Sequence, residues 1–181
     1  FTLMYSGSLN TSYDFDLILN AAKKLKDKNI QFIIRGKGKQ LSYLEDQKKK
    51  FQIDNLIIDP SFVPIEQLSS TLSRADVLLV PMVKGNSINL SLPTKILESQ
   101  AIGRPIICCS SGAIGDYVKT TNSGINVNEG DLAGFIDAIL KLELNDQLCQ
   151  EFGQNGRNFV EKNHTFKIIR NNLSSIIQKR L

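Results

Sequence analysis

The sequence of 181 residues is poor in the residue types that build metal sites and disulfide frameworks. It contains three cysteines, a single histidine and no tryptophan, and Cys108, Cys109 and Cys149 lack the spacing of metal ligands. Cys108 and Cys109 are neighbours in an apolar run, which indicates small core residues in a reducing compartment. We therefore expect a cytoplasmic protein without disulfides, and the sequence shows no acidic cluster that would bind a metal.

Long apolar runs and a strong charge of one sign are also missing. No window approaches the ~18 consecutive apolar residues that indicate a membrane-spanning helix, and the start lacks the basic leader of a signal peptide. The net charge is only +4 and is mostly dispersed, so we expect no nucleic acid partner. The length fits one domain, and the abrupt start inside a strand-like run suggests the C-terminal half of a longer protein.

What the sequence does contain is a regular alternation of strand-like and helical patterns. The strand-like runs are apolar at odd and even positions alike, as in parallel strands covered on both faces. They lie at residues 2–5, 30–34, 56–58, 77–80, 106–109 and 125–127. Amphipathic stretches follow at residues 15–26, 40–51, 65–73, 93–102, 113–118 and 131–142. These patterns predict an α/β fold: a Rossmann-like, doubly wound, parallel sheet of about six strands with helices on both faces. Residues 1–181 would be one domain, with residues 146–181 as a helical C-terminal extension.

The last predicted helix admits two interpretations. From Lys162 to Leu181 there are five Lys or Arg residues and no acid, and a basic amphipathic helix can lie on an anionic membrane surface. Its apolar residues nevertheless have the helical spacing of an ordinary packing face; they are Ile168, Ile169, Leu173, Ile176 and Ile177. We expect core packing here and keep peripheral membrane contact as the alternative.

The most informative segment joins a polar loop to a helix at Pro93. Proline is tolerated in a first helical turn because its missing N–H would be unpaired there. The amides of Thr94, Lys95 and Ile96 would then point out of the helix with the positive end of its dipole, which binds phosphate. Glu98 follows one turn later, within reach of ribose hydroxyls if a nucleoside diphosphate lay across the helix start.

Other turns after predicted strands have two interpretations each. Gly7 stands alone after the first strand, which argues against the glycine fingerprint of a nicotinamide-binding site. Gly36 and Gly38, beside Arg35, either let the backbone approach a ligand or form a tight basic turn. Phe62 and Val63 either contact a base or staple the following helix.

A further loop begins at Lys84, directly after the fourth predicted strand. Residues 84–89 are polar, and the loop lies in sequence just before the phosphate-binding helix start. Such a loop is a candidate for a mobile lid or a contact to the donor sugar.

These segments in this order resemble the C-terminal half of retaining GT-B glycosyltransferases of family four. The resemblance covers nearly the whole chain, and its most specific part is Pro-Thr-Lys-Ile-Leu-Glu at residues 93–98. It is closest to the bacterial branch that builds capsular, O-antigen and other surface polysaccharides. What it implies is a domain that binds a UDP- or GDP-sugar donor, with a missing N-terminal domain that binds a polysaccharide or lipid-linked acceptor.

The resemblance also assigns expected roles to individual residues. Glu98 matches the ribose-binding glutamate, the amides of Thr94 and Lys95 match diphosphate contacts, and Phe62 and Val63 match the base-binding region. The full predicted donor-binding set is Gly7, Arg35, Gly36, Gly38, Phe62, Val63, Lys84, Pro93, Thr94, Lys95 and Glu98. The family's front-face reaction, in which the leaving diphosphate helps deprotonate the acceptor, implies no metal and no cofactor.

Three departures from the family pattern bear on catalysis. Leu90 stands where a first glutamate is often found, Ser8 replaces an arginine, and the lysine expected within residues 11–14 is absent. Those two cations would neutralise the diphosphate charge that develops in the reaction. Four other cations are candidate substitutes: Lys84, Lys95, Arg35 and Lys37.

Two alternatives to a sugar transferase remain open at this point. The missing cations favour a non-catalytic nucleotide-sugar-binding or scaffold subunit. An unrelated Rossmann-like enzyme, such as a nucleotide-sugar epimerase, would be supported by tight NAD binding.

Overall fold

The computed structural model describes residues 1–85 and 92–178, which form a six-stranded parallel sheet in the order β3-β2-β1-β4-β5-β6. The strands are β1 (Thr2–Ser6), β2 (Gln31–Arg35), β3 (Leu56–Asp59), β4 (Val77–Pro81), β5 (Ile106–Cys109) and β6 (Gly124–Val127). Each predicted strand is present, and the predicted Rossmann-like, doubly wound topology is confirmed.

Eight helices lie within these described ranges. They are α1 (Phe15–Lys24), α2 (Leu41–Lys50), α3 (Ile65–Leu72), α4 (Thr94–Ala101), α5 (Ala113–Thr120), α6 (Leu132–Glu143), α7 (Asp146–Asn163) and α8 (Phe166–Gln178). Side-chain caps fix three of the starts, because Asp14, Asp131 and Asn145 each accept a hydrogen bond from an amide in the first turn.

Both faces of the sheet are covered, as the apolar runs predicted. On β1, Leu3 and Tyr5 belong to the large core cluster that includes Ile18 of α1. Met4, between them, belongs to a second cluster with Leu72 of α3. Neighbouring side chains on a strand point to opposite faces, so a strand buried on both sides must be apolar throughout.

Cys108 and Cys109 lie fully buried in β5, and all three cysteines are free thiols. Burial raises the pKa of both strand thiols well above the ordinary range, which keeps them protonated and unreactive. Their predicted role as small core residues is confirmed.

The order of the strands reverses between β1 and β4, which lie side by side at the centre of the sheet. Connections from β1 lead towards β3, whereas connections from β4 lead towards β6. The loops on the two sides therefore diverge at the carboxyl ends of β1 and β4. In open α/β sheets this crevice is where ligands bind.

Helix α7 is packed closely against α4 and holds it in place. At Gly153, α7 meets the turn that follows α4, where an added β-carbon would lie 2.1 Å from the Gly103 carbonyl oxygen. One turn later, a β-carbon on Gly156 would lie 2.9 Å from Cγ of Gln100. Two glycines three residues apart thus give α7 the flat surface that close packing on α4 requires.

Helix α8 contacts α7, but none of its described residues is buried. Its apolar side chains are largely exposed, with Leu173 at 58% and Ile176 at 54% of full accessibility. The expectation that this face packs into the core is wrong for the described part of the chain, where α8 contacts α7 and its apolar face stays uncovered. The alternative of membrane contact stays a prediction. Within residues 1–85 and 92–178, no helix is long and apolar enough to cross a bilayer.

The contact between α7 and α4 predicts a stability effect at Gly153. Gly153→Ala should lower the free energy of unfolding by about 1–3 kcal/mol, because the new methyl group overpacks a backbone contact. The exposed neighbour substitution Gln154→Ala is the control and should change stability by less than about 0.5 kcal/mol. Urea unfolding of both variants measures this, and equal stabilities would contradict the packing described.

Candidate functional site

The predicted donor-binding residues gather at the carboxyl edge of the sheet. Because Ser6 pairs with Arg35 and Arg35 with Asp59 in the strand register, β1, β2 and β3 end side by side. The helix α4, which follows β4, begins at the same edge. That edge carries Gly7, Arg35, Gly36, Gly38, Phe62, Val63, Lys84, Pro93, Thr94 and Lys95, with Glu98 one turn into α4.

The start of α4 differs in one detail from its sequence-based prediction. Pro93 is the N-cap in an extended conformation and Thr94 is the first helical residue. The amide of Ile96 donates to the Pro93 carbonyl oxygen at 3.1 Å, so it does not point to a ligand as expected. The amides of Thr94 and Lys95 belong to the first turn, where no intrahelical acceptor exists.

Glu98 lies half-buried on the side of α4 that faces the sheet. It lines a small cavity together with Ser6, at the end of β1, and with Lys95. An ionised carboxylate in this place has two acceptor oxygens, which suits a pair of vicinal hydroxyl groups. The geometry is therefore compatible with the predicted ribose contact.

Glycines at this edge allow two loops to meet backbone to backbone. A β-carbon on Gly36 would lie 1.8 Å from the Gly7 carbonyl oxygen, and one on Gly38 would lie 2.3 Å from that of Leu9. The Gly7 amide donates to the Arg35 carbonyl at 2.9 Å, and the Leu9 amide to that of Lys37 at 2.9 Å. Gly36 and Gly38 thus serve close packing of the two loops. The other interpretation, in which they let the backbone approach a ligand, stays a prediction.

Lys95 reaches across this loop from α4. Its Nζ donates a hydrogen bond to the Tyr13 hydroxyl at 3.0 Å and lies 4.5 Å from the centroid of the Tyr13 ring. A β-carbon on Gly7 would be only 2.7 Å from Nζ. Sequence reasoning missed Tyr13, because 82 residues separate it from Lys95 and no local pattern signals the contact.

Arg35 is engaged within the protein. The residue is 7% exposed, its Nε donates to Asp59 at 3.0 Å, and its terminal nitrogen donates to the Ser61 carbonyl at 3.1 Å. This ion pair joins the ends of β2 and β3. The charge of Arg35 is therefore compensated by a carboxylate before any ligand binds.

Asp59, the partner of Arg35, is held in its charged form. Hydrogen bonds from Ser61, the hydroxyl first and then the amide, lower the pKa of Asp59, and the Arg35 guanidinium lowers it further. Burial opposes these effects without cancelling them. Neither Asp59 nor Ser61 was among the predicted site residues.

The remaining predicted residues lie at the rim of the edge. Phe62 is 82% exposed, so it does not staple the following helix, whereas Val63 is half-buried. Lys84 is exposed after β4. Residues 86–89 of the predicted sugar-contacting loop, and Leu90, lie outside the described residues.

A metal site does not emerge from the described parts of the chain, where no group of three or more His, Cys, Asp or Glu residues could hold an ion. That no metal or cofactor is needed stays a prediction.

Comparison with known proteins identifies the family of this chain. The fold is the doubly wound sheet of GT-B glycosyltransferase domains. The sequence profile of "Glycosyl transferases group 1" matches residues 1–159, which is most of the chain. The chain belongs to this glycosyltransferase family, which rules out the unrelated epimerase alternative. It also confirms the resemblance to the C-terminal half of GT-B glycosyltransferases, while retention in the reaction stays a prediction.

A curated relative agrees with this assignment. WcaL of Escherichia coli K12, a glycosyltransferase named for colanic acid biosynthesis, is 27% identical over 166 residues. The match covers 88% of this chain but 40% of WcaL. The chain thus spans well under half the length of this relative.

Solved structures share the fold at low sequence identity. HepE of Anabaena, in complex with UDP, superposes with a TM-score of 0.83 at 13% identity, covering 99% of this chain and 49% of HepE. The C-terminal domain of LpcC, a group 1 glycosyltransferase of Francisella tularensis, has a TM-score of 0.76 at 16% identity, covering 92% of this chain and 87% of that domain. At these identities the likeness shows the fold, and it agrees with the predicted C-terminal GT-B domain.

The lowered pKa of Asp59, caused first by the hydrogen bonds from Ser61 and then by Arg35, predicts a pH dependence of stability. Because the folded-state pKa of Asp59 is lowered, its stabilising contribution is present above the unfolded value of about 3.9. It is lost as the pH falls through the lower folded value. The stability difference between wild type and Asp59→Asn should therefore shrink as the pH is lowered from about 6 to about 2.5.

Urea unfolding across this pH range measures the difference, with the exposed Asp54→Asn as a control for general acid titration. A gap between wild type and Asp59→Asn that stays constant down to the lowest pH would contradict the assignment.

Proposed function

We propose that this chain binds a UDP- or GDP-sugar as the donor for sugar transfer to a polysaccharide or lipid-linked acceptor. The observation that carries the proposal is the convergence of Gly7, Lys95 and Glu98 at the crevice between β1 and β4. A cation, a glycine and a carboxylate placed there match the diphosphate and ribose of one ligand. HepE, which shares the fold, was solved with UDP and with UDP-glucose.

Each part of the proposed ligand has a physical counterpart at the edge of the sheet. The carboxylate of Glu98 accepts hydrogen bonds from the ribose hydroxyls. The amides of Thr94 and Lys95 and the positive end of the α4 dipole receive the diphosphate. Phe62 offers a flat, exposed face to the base, where burial of an aromatic ring is favourable.

The reaction we propose is a transfer with retention. The bond between the anomeric carbon and the diphosphate oxygen breaks, and the acceptor oxygen bonds to the same face of the sugar. The acceptor proton passes to the leaving diphosphate, so atoms and charges balance without a metal. The acceptor would be bound by a further domain, because the chain spans about 40% of WcaL. A surface polysaccharide made at the inner face of the cytoplasmic membrane fits this scheme.

A second candidate function is a non-catalytic nucleotide-sugar-binding or scaffold subunit. It is favoured by Ser8 and by the lack of a lysine in residues 11–14. Donor binding is common to both candidates, and transfer to a lipid-linked acceptor separates them.

The donor site is tested by calorimetric titration of the purified protein with UDP, GDP and ADP. We expect selective binding of UDP or GDP. Glu98→Gln should weaken it roughly ten- to a hundredfold, because hydrogen bonds to a charged group contribute about 1.5–3 kcal/mol. The exposed Glu45→Gln, on α2, removes the same charge away from the site and should bind as wild type does.

A rise in melting temperature with the bound nucleotide is an independent check, since a ligand of the native state stabilises it by mass action. Absence of binding by all three nucleotides, or equal losses in the Glu98 and Glu45 variants, would contradict the proposed site.

A further inference from the structure

The surroundings of the Lys95 ammonium are unusual for a surface lysine. Its Nζ donates to the Tyr13 hydroxyl at 3.0 Å and lies 4.5 Å and 5.3 Å from the ring centroids of Tyr13 and Tyr5. The two rings meet edge to face at 5.1 Å. Both tyrosines are buried, so the ammonium is held by a fixed aromatic surface.

The groups that hold Lys95 carry no negative charge. Burial raises the pKa of Tyr5 far above its ordinary value, and the Tyr5 hydroxyl donates to the Ser8 carbonyl oxygen at 2.6 Å. Among the residues that the structure describes, no carboxylate lies within 4.0 Å of Nζ. An ammonium has three donors, and Tyr13 takes one of them.

The four candidate substitutes for the missing cations are therefore not equivalent. Arg35 is neutralised by Asp59. Lys37 and Lys84 are exposed, and no described contact fixes either ammonium. Within the described residues, Lys95 combines a charge that makes no ion pair within 4.0 Å with a fixed position.

That position is set by the loop between β1 and α1, the same loop that lacks the family's arginine and lysine. The Lys95 ammonium lies directly over Gly7, where a β-carbon would be 2.7 Å away. Gly7 immediately precedes Ser8 in the sequence. The other neighbour of the ammonium, Tyr13, lies within residues 11–14. A side chain from α4 thus brings a positive charge to the place that the loop itself leaves without one.

We propose that Lys95 is the side chain that binds the diphosphate of the donor, and that Tyr13 is a positioning residue that holds its ammonium over Gly7. The inference rests on the proposed donor site and deepens it. Tyr13 acts only through Lys95: its hydroxyl fixes the direction of the ammonium, and its ring attracts the cation without neutralising it.

The test compares UDP with UMP, because the two ligands differ only in the second phosphate. The ratio of their dissociation constants, UMP over UDP, measures how strongly the site recognises that phosphate, and a general loss of structure does not lower it selectively. GDP and GMP replace the uridine pair if the wild-type protein prefers guanine. Calorimetry on the purified protein gives both constants.

In Lys95→Gln we expect the ratio to fall by about tenfold or more, since a charged hydrogen bond contributes about 1.5–3 kcal/mol. Tyr13→Phe keeps the ring and removes the hydroxyl, and should lower the ratio by about threefold. Lys95→Arg should retain most of the ratio. Lys119→Gln, an exposed lysine at the end of α5, makes the same change in net charge and should leave the ratio unchanged.

The possible failures are distinct from one another. If the wild-type protein binds neither UDP nor GDP, the proposed donor site is wrong and this inference is overturned with it. If it binds one of them but Lys95→Gln keeps the wild-type ratio, the donor site stands and the role of Lys95 is overturned. If Lys95→Gln lowers the ratio and Tyr13→Phe does not, the positioning role of Tyr13 is refuted.

Discussion

The candidate site depends on how the loop between β1 and α1 is held by its own backbone. On one side the loop bonds to the end of β2 through the Gly7 and Leu9 amides. On the other side the Asp14 amide donates to the Pro81 carbonyl at 2.9 Å, and the Val83 amide donates to the Ser12 carbonyl at 3.1 Å. Buried backbone groups are costly to leave unpaired, so these bonds fix the loop and, with it, Tyr13.

The second support of the site is the anchoring of α4. Gln100 is fully buried, and its amide nitrogen donates to the hydroxyls of Thr121 and Ser123 at 3.1 Å and 3.0 Å. Its amide oxygen accepts from Tyr117 at 3.1 Å. A buried amide with both ends satisfied fixes one orientation of the helix, and the contact with α7 limits movement away from the sheet. Residues that touch no ligand therefore determine where Lys95 and Glu98 point.

Much of the fold could be predicted from the sequence, because the strands are apolar at odd and even positions alike and the helices between them are amphipathic. The predicted ends of helices and strands differ from the observed ones by at most two residues. The start of α4 was likewise predicted to within one residue from Pro-Thr-Lys-Ile-Leu-Glu at residues 93–98, and Glu98 lies one turn into that helix as expected. These features arise from short-range rules that a linear sequence displays directly.

What could not be predicted depends on contacts between distant segments. The positive charge of Arg35, beside two glycines, suggested a contact to the ligand. Only the register of β2 against β3 shows that Asp59 neutralises this charge. Tyr13 lies in a segment that was noted for lacking a lysine. The apolar face of α8 has the spacing of a packed helix, and its spacing does not reveal whether a neighbour is near enough to cover it.

The way Lys95 reaches the loop has a consequence for how such chains are compared. A cation can reach a loop from a distant part of the chain, as the Lys95 ammonium reaches Tyr13 across 82 residues of sequence. In a sequence alignment, Ser8 would stand in the column of the family's arginine and would indicate that the cation is lost. In this chain, however, the Lys95 ammonium lies over the neighbouring Gly7. Family members that keep a cation at the site are therefore better recognised by the distance from an ammonium to the glycine after β1. The residue type at any single position of an alignment is a poorer criterion.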